Sequence, residues 1–174
     1  MRWLLALAMS VLLASSAAAG ARKDKSTGFG LAPLPEAFRV KPYPQPDGAG
    51  FSITGRTEGF GGCLATFIRR PPAQSGAAGG GRPIHASLIE AAHTALQSGY
   101  RMGEVRDIQQ GDAAGITFTF GWIHRSAPDD PRFMWALFET ARGRATLRCY
   151  TSVARFDQTR PDFETVMRAL IIPK

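Results

Sequence analysis

The closing part of the chain carries the clearest pattern of apolar and polar positions. Phe163, Val166, Met167, Leu170 and Ile171 recur at i, i+3, i+4, i+7 and i+8, the spacing of one helical face. Thr159 stands three residues before Asp162 with Pro161 between them, which predicts an N-cap and an early proline. Pro173 predicts the end of that helix. Ahead of it, Arg132–Ala141 and Arg144–Arg155 read as two strands turned at Arg142-Gly143. In the first, Phe133, Trp135 and Leu137 alternate with Met134, Ala136 and Phe138, so both faces are apolar and the strand belongs near a sheet centre. In the second, Leu147, Cys149, Thr151 and Val153 share one face, and Arg148, Tyr150 and Ser152 share the other.

The earlier chain is read the same way. Phe38–Lys41 predicts a short edge strand among Pro33, Pro35, Pro42, Pro44 and Pro46. Phe51–Arg56 alternates as a second strand, and Cys63–Arg69 is apolar on both sides, hence interior. Ile84–Ser98 predicts a helix whose stripe is Ile84, Leu88, Ala91, Ala92, Ala95 and Leu96. Ser87 and Glu90 have capping-box spacing, and Gly99 suits the position after the last turn. Tyr100–Gln110 is a strand of mixed polarity, Gly111-Asp112 a turn, and Ala114–His124 a strand with Ile116, Phe118, Phe120 and Trp122 on one face. Strands in antiparallel runs with two segregated helices mean an α+β fold. The expectation is an antiparallel sheet of about six to seven strands with two packing helices.

Composition changes the picture mainly at the N-terminus. Arg2 precedes an apolar run from Trp3 to Leu13, and Ser15–Ala19 is a small-residue cleavage region. This is the form of a secretory signal, cut after Ala19 or Ala21, and the run is too short for a membrane span of roughly 20 residues. Residues 1–21 are therefore expected to be a signal peptide, 22–37 a flexible leader and 38–174 a single α+β domain. The formal charge is +7 over 174 residues, and loss of Arg2 leaves the mature chain at +6. The arginines are scattered, with no dense basic tract or aromatic-interleaved motif, so no specific nucleic-acid partner is expected. The expected location is the periplasm. The expected partners are a protein or an anionic envelope component, with no transmembrane segment.

Candidate chemistry is sparse. The loop Pro71–Pro83 has consecutive glycines and no following lysine, unlike a phosphate-cradling loop. His85 and His93 lie eight apart, roughly 80° round a helix, and do not form a metal pair. Asp129-Asp130 sits between Pro128 and Pro131 as turn chemistry. No cofactor or catalytic motif is visible. An envelope hydrolase would need a convergent cluster such as His124 with Asp129 or Glu139. Cys63 and Cys149 are the only cysteines. Each has apolar neighbours of its own parity, and export would place them in an oxidising compartment. One structural disulfide is expected, the alternative being two buried free thiols.

This order of elements resembles the PsbP-like family, which includes extrinsic photosystem proteins, the Ran-binding protein Mog and DcrB-like envelope proteins. The resemblance runs from about Phe38 to Ile172. It is most specific at Leu147-Arg148-Cys149-Tyr150 and the segment Phe163–Leu170, which looks like the family's closing helix. The chain departs from the family at Pro44-Gln45-Pro46-Asp47-Gly48, which lacks the usual tryptophan. The resemblance implies an accessory or binding protein, not an enzyme. A toxin-neutralising immunity protein would have the same composition, and neighbouring genes would separate the two.

Overall fold

The computed structural model describes residues 20–55, 58–70, 84–124 and 127–174. Most of the expected signal segment and the loop 71–83 lie outside the described residues. Two meanders build the main sheet. The first is β3 (Phe38–Pro42), β4 (Gly48–Gly55) and β5 (Gly62–Arg69). The second is β6 (Tyr100–Gln110), β7 (Ala113–Trp122), β8 (Pro131–Thr140) and β9 (Gly143–Ser152). They join along β5 and β9, giving seven antiparallel strands in the order β3-β4-β5-β9-β8-β7-β6. Helix α1 (Ile84–Gln97) links the meanders, and α2 (Phe156–Arg168) follows β9 through a single 3-10 turn, Val153–Arg155. The molecule is α+β, as the periodicity predicts.

The helices cover opposite faces. On one, Phe163 and Val166 of α2 pack with Cys63, Ala65, Phe67, Met134, Ala136, Phe138, Leu147 and Cys149 in the larger core. Phe163 lies 5.3 Å from Phe60, ring to ring. On the other face, Leu88, Ala91 and Ala95 of α1 pack on Ile116, Phe118, Phe120 and Leu137. Strand β8 feeds both cores, which is why its pattern is apolar on both sides.

Three expectations need correction. Residues 22–37 are not a leader detached from the fold. β1 (Arg22–Lys23) and β2 (Gly30–Leu31) pair with β10 (Leu170–Ile171) in a second, three-stranded sheet. Phe29, Leu31 and Leu34 are buried in the larger core. The turn between β1 and β2 is set by Asp24, whose Oδ1 accepts hydrogen bonds from Ser26 N and Oγ and from Thr27 N and Oγ1. Gly28 supplies the positive φ, +80°, that this turn requires.

Second, α2 begins earlier and ends earlier than its periodicity predicts. Thr159 is not the N-cap: it lies inside the helix, where its hydroxyl donates to the carbonyls of Arg155 and Phe156. Pro161 is also inside. It removes the donor for the Asp157 carbonyl, but Asp157 and Pro161 are exposed, so water can serve that group. Leu170 is buried, yet as a strand residue opposite Leu31 rather than as the last helical knob. Strand β9 stops at Ser152, short of Arg155.

Third, the buried stripe of α1 is narrower than its apolar residues suggest, because Leu96 and Ile89 are exposed. Leu96 stands one position past the buried Ala95, about 100° round the helix.

Candidate functional site

Cross-strand register assembles the site. Residues directly opposite in a sheet share a face, and the pairs Ser52↔Leu64, Leu64↔Arg148 and Arg148↔Trp135 set four side chains in one row across β4, β5, β9 and β8. The neighbouring row pairs Gly62 with Tyr150 and Tyr150 with Phe133. These rows lie on the α1 face, but α1 covers only the β6–β8 half of it. Over β4, β5 and β9 the face is open and forms a groove of about 470 Å³ lined by Tyr43, Leu64, Phe133, Trp135, Arg148 and Tyr150, among others.

Local sequence makes the groove fit. Gly61 lies against Tyr150: a Cβ there would come within 2.3 Å of the Tyr150 carbonyl oxygen and 2.9 Å of its ring. The absence of a side chain lets the Tyr150 ring lie along β5. Tyr43 is brought over the sheet by its backbone N–H, which donates to the Gly50 carbonyl at 2.8 Å. Directly behind the groove floor, Cys63 and Cys149 face each other in the β5–β9 ladder and are joined as a disulfide. The bond fixes the strand pair that carries Leu64, Arg148 and Tyr150.

Arg148 dominates the electrostatics. Its guanidinium carbon sits 4.7 Å from the Trp135 ring centroid, the stacked geometry of a cation–π contact. No Asp or Glu lines the groove, and Arg148 has no carboxylate partner among the described residues. Burial pulls the guanidinium below the ordinary arginine range, with Tyr43 partly opposing the shift. The Trp135 indole nitrogen is buried without a hydrogen-bond acceptor among the described residues. Tyr43 and Tyr150 are each close to half exposed. Arg132 also stacks on an aromatic ring, 5.0 Å over Phe156, but on the α2 face inside the packed end of the molecule.

The side chains named for a hydrolase do not assemble with Glu139. His124 follows the end of β7 that pairs with the start of β8, whereas Glu139 lies near the end of β8, roughly 20 Å away at about 3.3 Å per residue. Glu139 is instead held by Arg144 at 2.7 Å and Arg70 at 3.1 Å. His124 and Asp129 are exposed, and Asp130 accepts a hydrogen bond from the Ala127 N–H in the turn. His93 is exposed, and the His85 side chain lies outside the described residues. Among the described residues no three His, Cys, Asp or Glu cluster as metal ligands, and no helix is long and apolar enough to cross a membrane.

A larger open groove, about 680 Å³, lies at the far end of the sheet by the C-terminal tail. Its polar groups are already engaged: Gln110 Nε2 donates to the Arg168 and Leu170 carbonyls, and Lys174 pairs with Asp112. That groove holds the tail in place. The aromatic groove therefore has the stronger claim as a binding site. Sequence reasoning missed it, although the alternation of β9 sets Arg148 and Tyr150 on the face away from Cys149.

Neither a family model nor a curated protein sequence matches the chain. Solved structures do. The chain is similar to cyanobacterial PsbP (CyanoP) from Synechocystis, with a TM-score of 0.57 and 10% identity over 88% of this chain and 91% of that one. It is also similar to PA94 of Pseudomonas aeruginosa, a protein of unknown function, with a TM-score of 0.50 and 13% identity over 89% and 96% of the two chains. The chain thus has a PsbP-like α+β fold.

Proposed function

We propose that the protein is an exported, noncatalytic binding protein that meets a partner protein in the periplasm through the open half of its sheet. One observation carries the reading: an arginine stacked on a tryptophan, flanked by two half-exposed tyrosines, in a groove with no acidic residue. Tyr, Trp and Arg are the side chains that dominate binding energy at protein interfaces. The groove holds no histidine and no acidic group beside Ser52 or Thr54, so it offers no activated nucleophile. The PsbP-like fold agrees with an accessory role, and the disulfide agrees with an oxidising compartment.

Site-specific photocrosslinking in cells tests the proposal. A photoreactive residue at Tyr150 is expected to capture a discrete partner, while one at the exposed Arg168 on α2 is not. Equal capture from both positions, or none from Tyr150, overturns the assignment of the face.

A further inference from the structure

Arg148 is chemically incomplete in a particular way. A guanidinium with one face on an indole keeps its edge N–H groups available, and that edge matches a planar carboxylate in two parallel hydrogen bonds. Several arginines elsewhere among the described residues share carboxylates. Glu139 holds Arg70 and Arg144, Glu104 holds Arg106 and Arg160, and Glu164 holds Arg160 and Arg168. Arg132, over Phe156 on the α2 face, is likewise stacked on a ring without an anion among the described residues. Arg148 is the one that stands in the open groove, where an apolar, aromatic setting raises the cost of its charge and supplies no anion to offset it. The indole N–H of Trp135, the ring under Arg148, is buried without an acceptor among the described residues and so offers a resonance sensitive to changes at that ring.

We propose that the groove binds a peptide segment that sets a carboxylate beside an aromatic or aliphatic side chain. Arg148 takes the carboxylate, and Tyr43, Leu64, Phe133 and Tyr150 pack the apolar neighbour. This rests on the reading of the open face as the partner surface and adds its chemistry. The charge pattern decides the class of occupant. A phospholipid surface or a nucleic acid is held by several cations acting together, whereas the groove lining contains one cation among aromatic rings. One cation with apolar flanks matches one anion with an apolar neighbour.

The test uses the oxidised full-length protein and NMR observation of the Trp135 indole N–H. Two end-blocked peptides are titrated, one with an Asp-Phe core and one with Asn-Phe in its place, and phosphatidylglycerol vesicles form a third arm. The Asp-Phe peptide is expected to shift the resonance and to bind at least about tenfold more tightly than the Asn-Phe peptide, the worth of a charge-assisted hydrogen bond. Arg148→Gln is expected to make the two peptides equivalent. Arg148→Lys, which keeps the charge but not the fork, should retain only part of the preference, and it stands in if the Gln variant is poorly folded. The Trp122 indole resonance reports the fold in each variant. Equal binding of the two peptides, binding of neither, or a preference unchanged by both Arg148 variants overturns the proposal. A shift produced only by the vesicles overturns it in favour of a membrane surface. Capture of a partner at Tyr150 without this preference would retain the face and refute its chemistry.

Discussion

Reducing the Cys63–Cys149 bond should change stability by an amount set mainly by the unfolded chain. The cysteines are 86 residues apart in sequence, and the chain-entropy model assigns a loop of that length about 4–5 kcal/mol. In the folded protein the same two residues are direct neighbours in the β5–β9 ladder and are buried. Reduced thiols would therefore keep nearly the same packing, and the native side should contribute little to the difference. Urea unfolding of the oxidised and reduced protein, with thiols counted by mass, checks this. The reduced form should lose about 4 kcal/mol, equivalent to roughly 8–16 °C in melting temperature for a chain of this size. Its m-value should rise, because the uncrosslinked unfolded chain exposes more surface. Cys63→Ala with Cys149→Ala should fall further by a packing increment on the order of 1 kcal/mol. Two free thiols in the untreated protein, or a loss on reduction below about 1 kcal/mol, would refute the reasoning.

Four further outcomes are expected. Mass spectrometry of the periplasmic protein should find a mature N-terminus at Gly20 or Arg22, and an intact Met1 there would contradict export by a cleaved signal. Leu170→Ala should cost about 2–5 kcal/mol, while the exposed Arg168→Ala should stay within about 0.5 kcal/mol, both read from urea midpoints. The hydroxyls of Ser26 and Thr27 lower the Asp24 carboxyl to about 2, below its unfolded value of 3.8. The stability Asp24 contributes is thus present above pH 3.8 and lost as pH falls towards 2. Comparing wild type with Asp24→Asn from pH 5 to pH 2 should show a difference on the order of 1 kcal/mol that closes over that window, a figure reduced for partial solvation. Gly61→Ala should displace the Tyr150 ring and destabilise the β5–β9 pair, visible as altered NMR shifts of Tyr150.

The main sheet was legible because strands such as β7 and β8 bury one or both faces along eight or more residues, long enough for a period to appear. The N-terminal sheet was hidden for the opposite reason. β1 and β2 are two residues each, and Arg22, Lys23, Asp24 and Lys25 dilute the signal of Phe29, Leu31 and Leu34. For α2, Thr159 and Pro161 looked like an entry because both are common there. The buried Phe156 sets the earlier start, and its partners Phe163 and Arg132 come from outside its own turn. The groove was legible only in halves. Alternation places Arg148 and Tyr150 on one face, but the indole under Arg148 comes from β8 and the glycine beside Tyr150 from the connection that leads into β5. The first meeting depends on the exact register of the β8–β9 hairpin and the second on β5 meeting β9 across more than seventy residues, which alternation along a single strand does not encode.

The seam between β5 and β9 has a consequence for how the chain is made. Synthesis runs from the N-terminus, so β5 is complete when its hydrogen-bonding neighbour is still more than seventy residues from existing. Until β9 and α2 follow, β3–β5 is a three-stranded ribbon with a bare inner edge, and its apolar face, which meets Phe29 from the N-terminal segment, still lacks Phe163 and Val166 of α2, a form prone to pair with other chains. Its partner strand β9 and the covering helix α2 both lie in the last quarter of the polypeptide. Shortened products ending before β9 should therefore depend on chaperones and be cleared by proteases, and Cys63 should spend that interval as a lone thiol open to pairing with the wrong molecule.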